Sequence, residues 1–200
     1  NTARRIGAVN TVVVREDGTL FGTNTDGYGF LENMRDGLKG WRADVGPAVV
    51  LGAGGAARGV CAALLDEGVP KIHLVNRTQA RAKTLAADLG GPIGVVSWDD
   101  RENILKDAAL LINTTSLGMT GKDDLKISLD ALPKPAAVCD VVYRPLETTL
   151  LENARARGNE VVDGLGMLFH QARPGFHAWF GVAPEVNHRL RQFVLEELKR

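Results

Sequence analysis

The sequence predicts an α/β protein organised around a doubly wound parallel sheet, and three observations carry the prediction. From Ala48 to Val162, short apolar runs of strand character alternate with helix-forming stretches, the order that parallel strands joined by crossover helices require. At Ala48-Val49-Val50-Leu51 one such run meets the glycine cluster Gly52-Ala53-Gly54-Gly55, and a helix-forming stretch follows at once. The composition, 44% hydrophobic and 24% charged over 200 residues, supplies the apolar material for a real core. The fold class is therefore Rossmann-like.

The charge balance narrows the partners. Lys plus Arg and Asp plus Glu each number 24, so nothing favours nucleic acid or an anionic membrane. The two cysteines, Cys61 and Cys139, lie far apart without metal-type spacing, which points to a reducing compartment. His73, His170, His177 and His188 show no ligand spacing with cysteines or acids, so no metal is expected. No run approaches the roughly 18 apolar residues of a membrane span, and no signal peptide opens the chain. A soluble, cytoplasmic protein is expected, as a monomer or homodimer.

In chain order, Ile6 to Val14 reads as a strand buried on both faces. Glu16-Asp17-Gly18-Thr19 is a turn signal, and Leu20 to Gly22 pairs back as a hairpin. Asn10 interrupts the apolar run on the face of Ala8 and Val12. A buried amide there needs partners, because an unpaired one costs about 1–3 kcal/mol, and a structural bond to a neighbouring loop is the simplest solution. Asn24-Thr25-Asp26-Gly27 leads into a helix over 28–38, with Phe30, Leu31, Met34 and Leu38 at helical spacing. By itself Asp26 reads as an N-cap or first-turn acid contributing roughly 1 kcal/mol. Gly37, Gly40 and Gly46-Pro47 punctuate a connector.

Beyond the connector, helices are predicted over 55–67, 78–89 and 147–157, with Thr78 as an N-cap and Gly90 and Gly158 as stops. Strands are predicted over 48–51, 72–75, 93–96, 109–112, 136–142 and 160–162. Residues 172–200 read as helical, broken at Pro174 and Pro184.

The glycine cluster fits a phosphate-cradling turn. Gly52 permits the tight turn after the strand, and Gly54 lets the backbone approach a pyrophosphate. Ala57 takes the third position of the G-x-G-x-x-G/A pattern, and the helix starts near Gly55 with its free N–H groups and positive dipole end at the phosphates. Nucleotide choice falls to Asn76-Arg77-Thr78-Gln79-Ala80-Arg81. An NAD site places an acid there for the ribose 2′-hydroxyl, and this run has none. Asn76 does not repel a 2′-phosphate, Arg77 offers a planar fork and a flat face for adenine, and Arg81 adds a second charge one turn on. Two solvated helix arginines are the plain alternative. Taken with the glycines, the run favours NADP.

Seven successive stretches resemble the signatures of the shikimate dehydrogenase family. They are Ile6 to Thr11, Asn24-Thr25-Asp26-Gly27, Gly52 to Ala57, Asn76-Arg77-Thr78, Asn113 to Met119, Asp140 to Pro145, and Gly164-Leu165-Gly166-Met167 through Gln171-Ala172. They occur in family order across nearly the whole chain. The resemblance implies that Asn10 binds substrate, that Asp26 is both catalytic and substrate-binding, and that Gln171 contacts substrate hydroxyls. It implies a place for Tyr143 at the substrate–nicotinamide junction. It assigns Gly52, Ala53, Gly54, Gly55, Ala56, Asn76, Arg77, Thr78, Arg81, Thr114, Ser116, Gly164 and Met167 to the cofactor. Gly164, Met167 and Gln171 fall at i, i+3 and i+7, on one helix face; without the resemblance Met167 reads as core filler and Gln171 as a surface amide.

The resemblance further implies reversible NADP-dependent reduction of 3-dehydroshikimate to shikimate in aromatic amino-acid biosynthesis, by a catalytic Lys–Asp pair. The family's Lys and a serine-containing substrate loop belong to an N-terminal substrate domain, and no lysine here stands in that context. The chain is thus expected to be a C-terminal portion of low activity. Its expected divisions are 1–26, a remnant of the truncated α/β substrate domain; 27–46, a linking helix and connector; 47–171, the NADP-binding domain; and 172–200, helices packing back toward the substrate domain. A quinate/shikimate dehydrogenase using NAD and a non-catalytic NADP-binding module are the alternatives.

Overall fold

The computed structural model describes residues 2–198. A short helix α1 (Thr2–Ile6) precedes an antiparallel hairpin of β1 (Thr11–Val14) and β2 (Leu20–Thr23), and α2 (Asp26–Gly37) follows. A 3-10 turn, Ala43–Val45, leads into β3 (Ala48–Leu51) and α3 (Gly55–Asp66). Next come β4 (Ile72–Val75), α4 (Gln79–Leu89), β5 (Ile93–Val96), β6 (Leu110–Asn113) and β7 (Ala137–Asp140). The chain closes with α5 (Thr149–Ala156), β8 (Val161–Val162), α6 (Leu165–Phe180) and α7 (His188–Leu198).

Six parallel strands form the central sheet in the order β5-β4-β3-β6-β7-β8. Counted from β3 this is the doubly wound order, with the winding reversing between β3 and β6, where a crevice opens at the strands' C-terminal ends. β3 shows why the sheet is central. Ala48 and Val50 pack into a core shared with α2, α3 and α4, whereas Val49 and Leu51 join the opposite core shared with α5. All four are essentially excluded from water, as expected for a strand covered on both faces.

Three local expectations change. Ile6 closes α1 and is buried, Gly7 breaks the helix at φ +73°, and the strand begins only at Thr11. That strand is not enclosed on both faces: β1 pairs with β2 alone, leaving Val12 and Val14 46% and 69% exposed. Asn10, outside the strand, is exposed rather than buried. Pro174 does not break the C-terminal segment. It sits inside α6, which runs on to a left-handed cap at Gly181, φ +72°. Before the proline α6 packs along α2, and beyond it Trp179 donates its ring N–H to the Val12 carbonyl of β1 at 2.9 Å. Residues 199–200 of the predicted segment, like Asn1 of the predicted remnant, lie outside the described residues.

Candidate functional site

The turn after β3 is locked at the sheet's switch point. Gly52 adopts φ +110°, donates its N–H to the Val75 carbonyl at 2.7 Å, and passes so close to Thr114 that a Cβ would lie 2.7 Å from the threonine hydroxyl. Thr114 follows β6 and donates both its N–H and its hydroxyl to the Leu51 carbonyl, at 2.9 and 2.6 Å. The Thr114 hydroxyl thus braces the glycine turn. Ser116 lies exposed on the same loop, and Ala53 is half-buried.

Gly54 caps α3, and Gly55 opens it. Both are exposed, and a Cβ built on either meets nothing within 4 Å. The first helical N–H groups therefore border open space that a phosphate can fill. Ala56 is half-buried and Ala57 fully buried, seating the helix on the sheet. Past β4, Asn76 donates its amide to the Thr78 carbonyl at 2.9 Å and shapes the turn. Arg77, Thr78 and Arg81 are exposed, and among the described residues neither guanidinium has an ion-pair or side-chain hydrogen-bond partner. Two unengaged planar cations beside an acid-free turn suit a 2′-phosphate. These features fit a phosphorylated dinucleotide.

Asp26 stands at the start of α2. The Asn24 carboxamide oxygen accepts its N–H at 3.0 Å, and Asn10 donates its amide to Asp26 Oδ1 at 2.7 Å. The Asn10 oxygen accepts from the Thr25 N–H, the Thr25 hydroxyl and the Thr11 hydroxyl at 3.0–3.2 Å. The structure thus joins Asn10 to Asp26 and to the neighbouring loop together. Among the described residues, no lysine or arginine is ion-paired with Asp26.

A cavity of about 150 Å³ brings together Asp26 of α2, Ala56 of α3, Tyr143 of the loop after β7, and Gly164, Met167 and Gln171 at α6, with Val141 and Leu168. A second cavity of about 410 Å³ shares Val141 and Tyr143 with it and extends to Thr115, Met119 and Arg144. Asn10, Arg77 and Arg81 do not line either cavity. A further cavity of about 320 Å³, between Asp36, Asp163, His170 and Arg191, contains none of the predicted site residues. Among the described residues no group of three His, Cys, Asp or Glu side chains is placed to hold a metal ion.

Two polar residues assigned no role in the sequence hold the loops around these cavities. Asn113 and Asp140 end adjacent strands in register. Asp140, with no exposed surface, accepts from the Asn113 amide and the Val142 N–H, both at 3.0 Å, and from the Thr148 hydroxyl at 2.7 Å. Asn113 also donates to the Leu117 carbonyl and accepts from Thr115. Burial pushes the Asp140 carboxyl above its usual range, against the lowering effect of its three donors. The available signal was a polar residue closing each apolar strand run. Burial likewise pushes the Cys61 thiol up to about 12 and the Cys139 thiol well up, so both are inert at neutral pH.

Comparison with known proteins gives one consistent picture. Residues 42–143 match the shikimate/quinate 5-dehydrogenase family. The chain is 63% identical over 193 residues to an NADP⁺ shikimate dehydrogenase of Paramagnetospirillum magneticum, covering 96% of this chain and 70% of that protein. Its counterpart from Rhodospirillum rubrum is 60% identical, with the same coverage. Among solved structures, shikimate 5-dehydrogenase from Thermus thermophilus in complex with NADP(H) and shikimate is 41% identical, with a TM-score of 0.79 over 92% of this chain and 66% of that one. Quinate dehydrogenase from Corynebacterium glutamicum in complex with NAD is 35% identical, with a TM-score of 0.89 over 97% of this chain and 70% of that one.

Proposed function

The chain belongs to the shikimate/quinate 5-dehydrogenase family, and from that premise we propose that it serves the NADP-dependent interconversion of 3-dehydroshikimate and shikimate. The observation carrying this reading is the convergence of Asp26, Tyr143, Met167 and Gln171 on one cavity whose wall includes Ala56, beside the open glycine turn. NADPH, when bound, supplies the hydride; the carbonyl of 3-dehydroshikimate takes up that hydride and one proton to become the hydroxyl of shikimate.

The chain's own residues hold and orient. Gly54, Gly55 and Ala56 present N–H groups to the pyrophosphate, and Arg77 and Arg81 clamp the 2′-phosphate. Asn10 holds Asp26 Oδ1, so the carboxylate is fixed where it meets the reacting substrate oxygen and shares its proton. Gln171 hydrogen-bonds substrate hydroxyls, Tyr143 stands at the junction with the nicotinamide, and Met167 walls the site from water. Among the described residues, 2–26 form part of a substrate-binding lobe, 27–46 link it to the dinucleotide domain of 47–171, and 172–198 return toward that lobe. With no basic side chain paired to Asp26 among the described residues, proton transfer lacks a cationic partner and turnover by this chain is slow.

The test combines titration with turnover. Wild type binds NADPH at least tenfold more tightly than NADH, Arg77→Ala loses most of that preference, and 3-dehydroshikimate is reduced only slowly. An unchanged preference removes Arg77 from the clamp, and rapid turnover overturns the argument from the missing cation. The likeness to a quinate dehydrogenase bound to NAD favours a second reading with that cofactor; the lack of an acid over 76–81 opposes it, and the NADH titration decides. The free, buried thiols of Cys61 and Cys139 support a protein of the reducing cytoplasm. No helix among the described residues is long and apolar enough to cross a membrane.

A further inference from the structure

We infer that Gly29 is a positioning residue that sets the spacing between Asp26 and Gln171. The inference rests on the reading in which those two side chains face the substrate. Gly29 lies one helical turn after Asp26 on α2 and points at α6. A Cβ there would lie 2.8 Å from both the Cβ and the backbone nitrogen of Gln171, and 2.9 Å from the Met167 carbonyl. Two of these neighbours are backbone atoms and the third is a Cβ, whose position the backbone fixes, so rotating a side chain does not relieve the overlap. The helices must part until the contact reaches the 3.4 Å at which ordinary contacts begin.

Gln171 and Met167 are the α6 residues that line the cavity with Asp26. Parting the helices at Gly29 therefore widens the site itself. The opposite side of α2 allows no compensating slide, because Gly27 lies equally close to α3: a Cβ on it would meet the Gly59 carbonyl at 2.8 Å and the Ala63 Cβ at 3.0 Å. The first turn of α2 is thus fixed between the helix that receives the pyrophosphate and the helix that carries Gln171. Displacements below an ångström in such a constellation weaken binding and rate by about tenfold to a hundredfold.

Gly29→Ala tests this, with Gly37→Ala as the control. Both are glycine-to-alanine changes on α2, but a Cβ at Gly37 meets the Val162 side chain rather than α6, with the nearest methyl groups at 3.0 and 3.3 Å, and it lies at the end of α2 remote from Asp26. Shikimate is titrated into each NADP⁺-saturated chain while the Asp26 carboxyl carbon and the Gln171 side-chain amide are followed by NMR. Gly29→Ala should weaken shikimate at least tenfold, with NADPH affinity reduced several-fold less than shikimate affinity and the melting transition retained. Gly37→Ala should change neither affinity. Equal shikimate affinity in Gly29→Ala and wild type overturns the inference. So does a parallel loss of NADPH affinity or of the folded state, which assigns Gly29 to the fold alone. If wild type itself gives no response to shikimate, the proposed function fails, yet the ligand-free spectra still decide the inference: Gly29→Ala must shift both resonances and Gly37→Ala neither.

Discussion

Asp140 is the residue at which the buried electrostatics of the protein concentrate. Its carboxylate is enclosed, yet three donors converge on it, one from the end of β6 and two from the loop between β7 and α5. Removing the acceptor strands the Val142 N–H and the Thr148 hydroxyl, so Asp140→Ala should lower unfolding free energy by about 2–4 kcal/mol in urea denaturation. Asp140→Asn keeps one acceptor oxygen, and its amide can donate to Thr148, whose hydroxyl already accepts from the Leu151 N–H. The folded carboxyl has a raised pKa, because burial disfavours its charged form. Its relative stabilisation is therefore present below an unfolded-state pKa of about 4 and is lost as pH rises through the folded value. Asp140→Asn carries no such loss, so its stability relative to wild type should increase from about pH 4 towards neutrality. A flat difference across that range would mean that Asp140 does not titrate differently on folding.

At the scale of elements, the local signals worked where one residue type decides the backbone. β4 and β5 span the residues that their apolar runs predicted, α3 opens at Gly55, and Gly90 stops α4 at φ +67°. They failed at α6, where proline chemistry and packing disagree. Pro174 has no N–H to donate to the His170 carbonyl one turn back. The helix nevertheless continues, with Gly175 buried beyond the proline and Trp179 donating its ring N–H to the Val12 carbonyl of β1 at 2.9 Å. Pro174→Ala restores the missing donor, worth roughly 3 kcal/mol in a helix interior, against about 1 kcal/mol from a freer unfolded chain. A rise of about 2 kcal/mol in unfolding free energy is expected, and an unchanged midpoint would show that α6 has fully adapted to the proline. Asn33 shows the same long reach: it donates to the Asp163 carbonyl at 2.7 Å across 130 residues of sequence.

At the scale of the molecule, two parts meet on α2. The hairpin and the start of α2 hold Asn10 and Asp26, while the six-stranded sheet holds the glycine turn and the arginines. α1 is tied to the sheet's helices: Arg58 of α3 donates to the Ile6 carbonyl at 3.2 Å and pairs with Asp88 of α4, and Arg5 pairs with Asp66. A ligand seated on α3 is thus linked to the whole structure, and stabilisation by mass action follows. At a hundredfold excess over its dissociation constant, NADPH adds about 2.7 kcal/mol. For a chain of this size that corresponds to a rise in Tm of roughly 5–10 °C. A folded protein whose Tm does not respond to NADPH would be left with a scaffold role.

The sequence by itself determined the alternating architecture, the tight glycine turn after β3 and the acid-free, basic run after β4, because these depend on residues adjacent in the chain. Gly52 needs its own positive φ, and Arg77 needs only to follow the strand that ends at Val75. The tertiary structure alone decided what surrounds the chemistry. It turned the continuous run at Ile6–Val14 into a helix, a break and a half-exposed strand, because no second sheet covers β1 among the described residues. It gave Asn10 four hydrogen bonds through its side chain instead of burial. It also brought Gly29 against Gln171 and Asn113 against Asp140. Such contacts join segments far apart in the chain, and neither periodicity nor turn chemistry encodes which helix faces will meet.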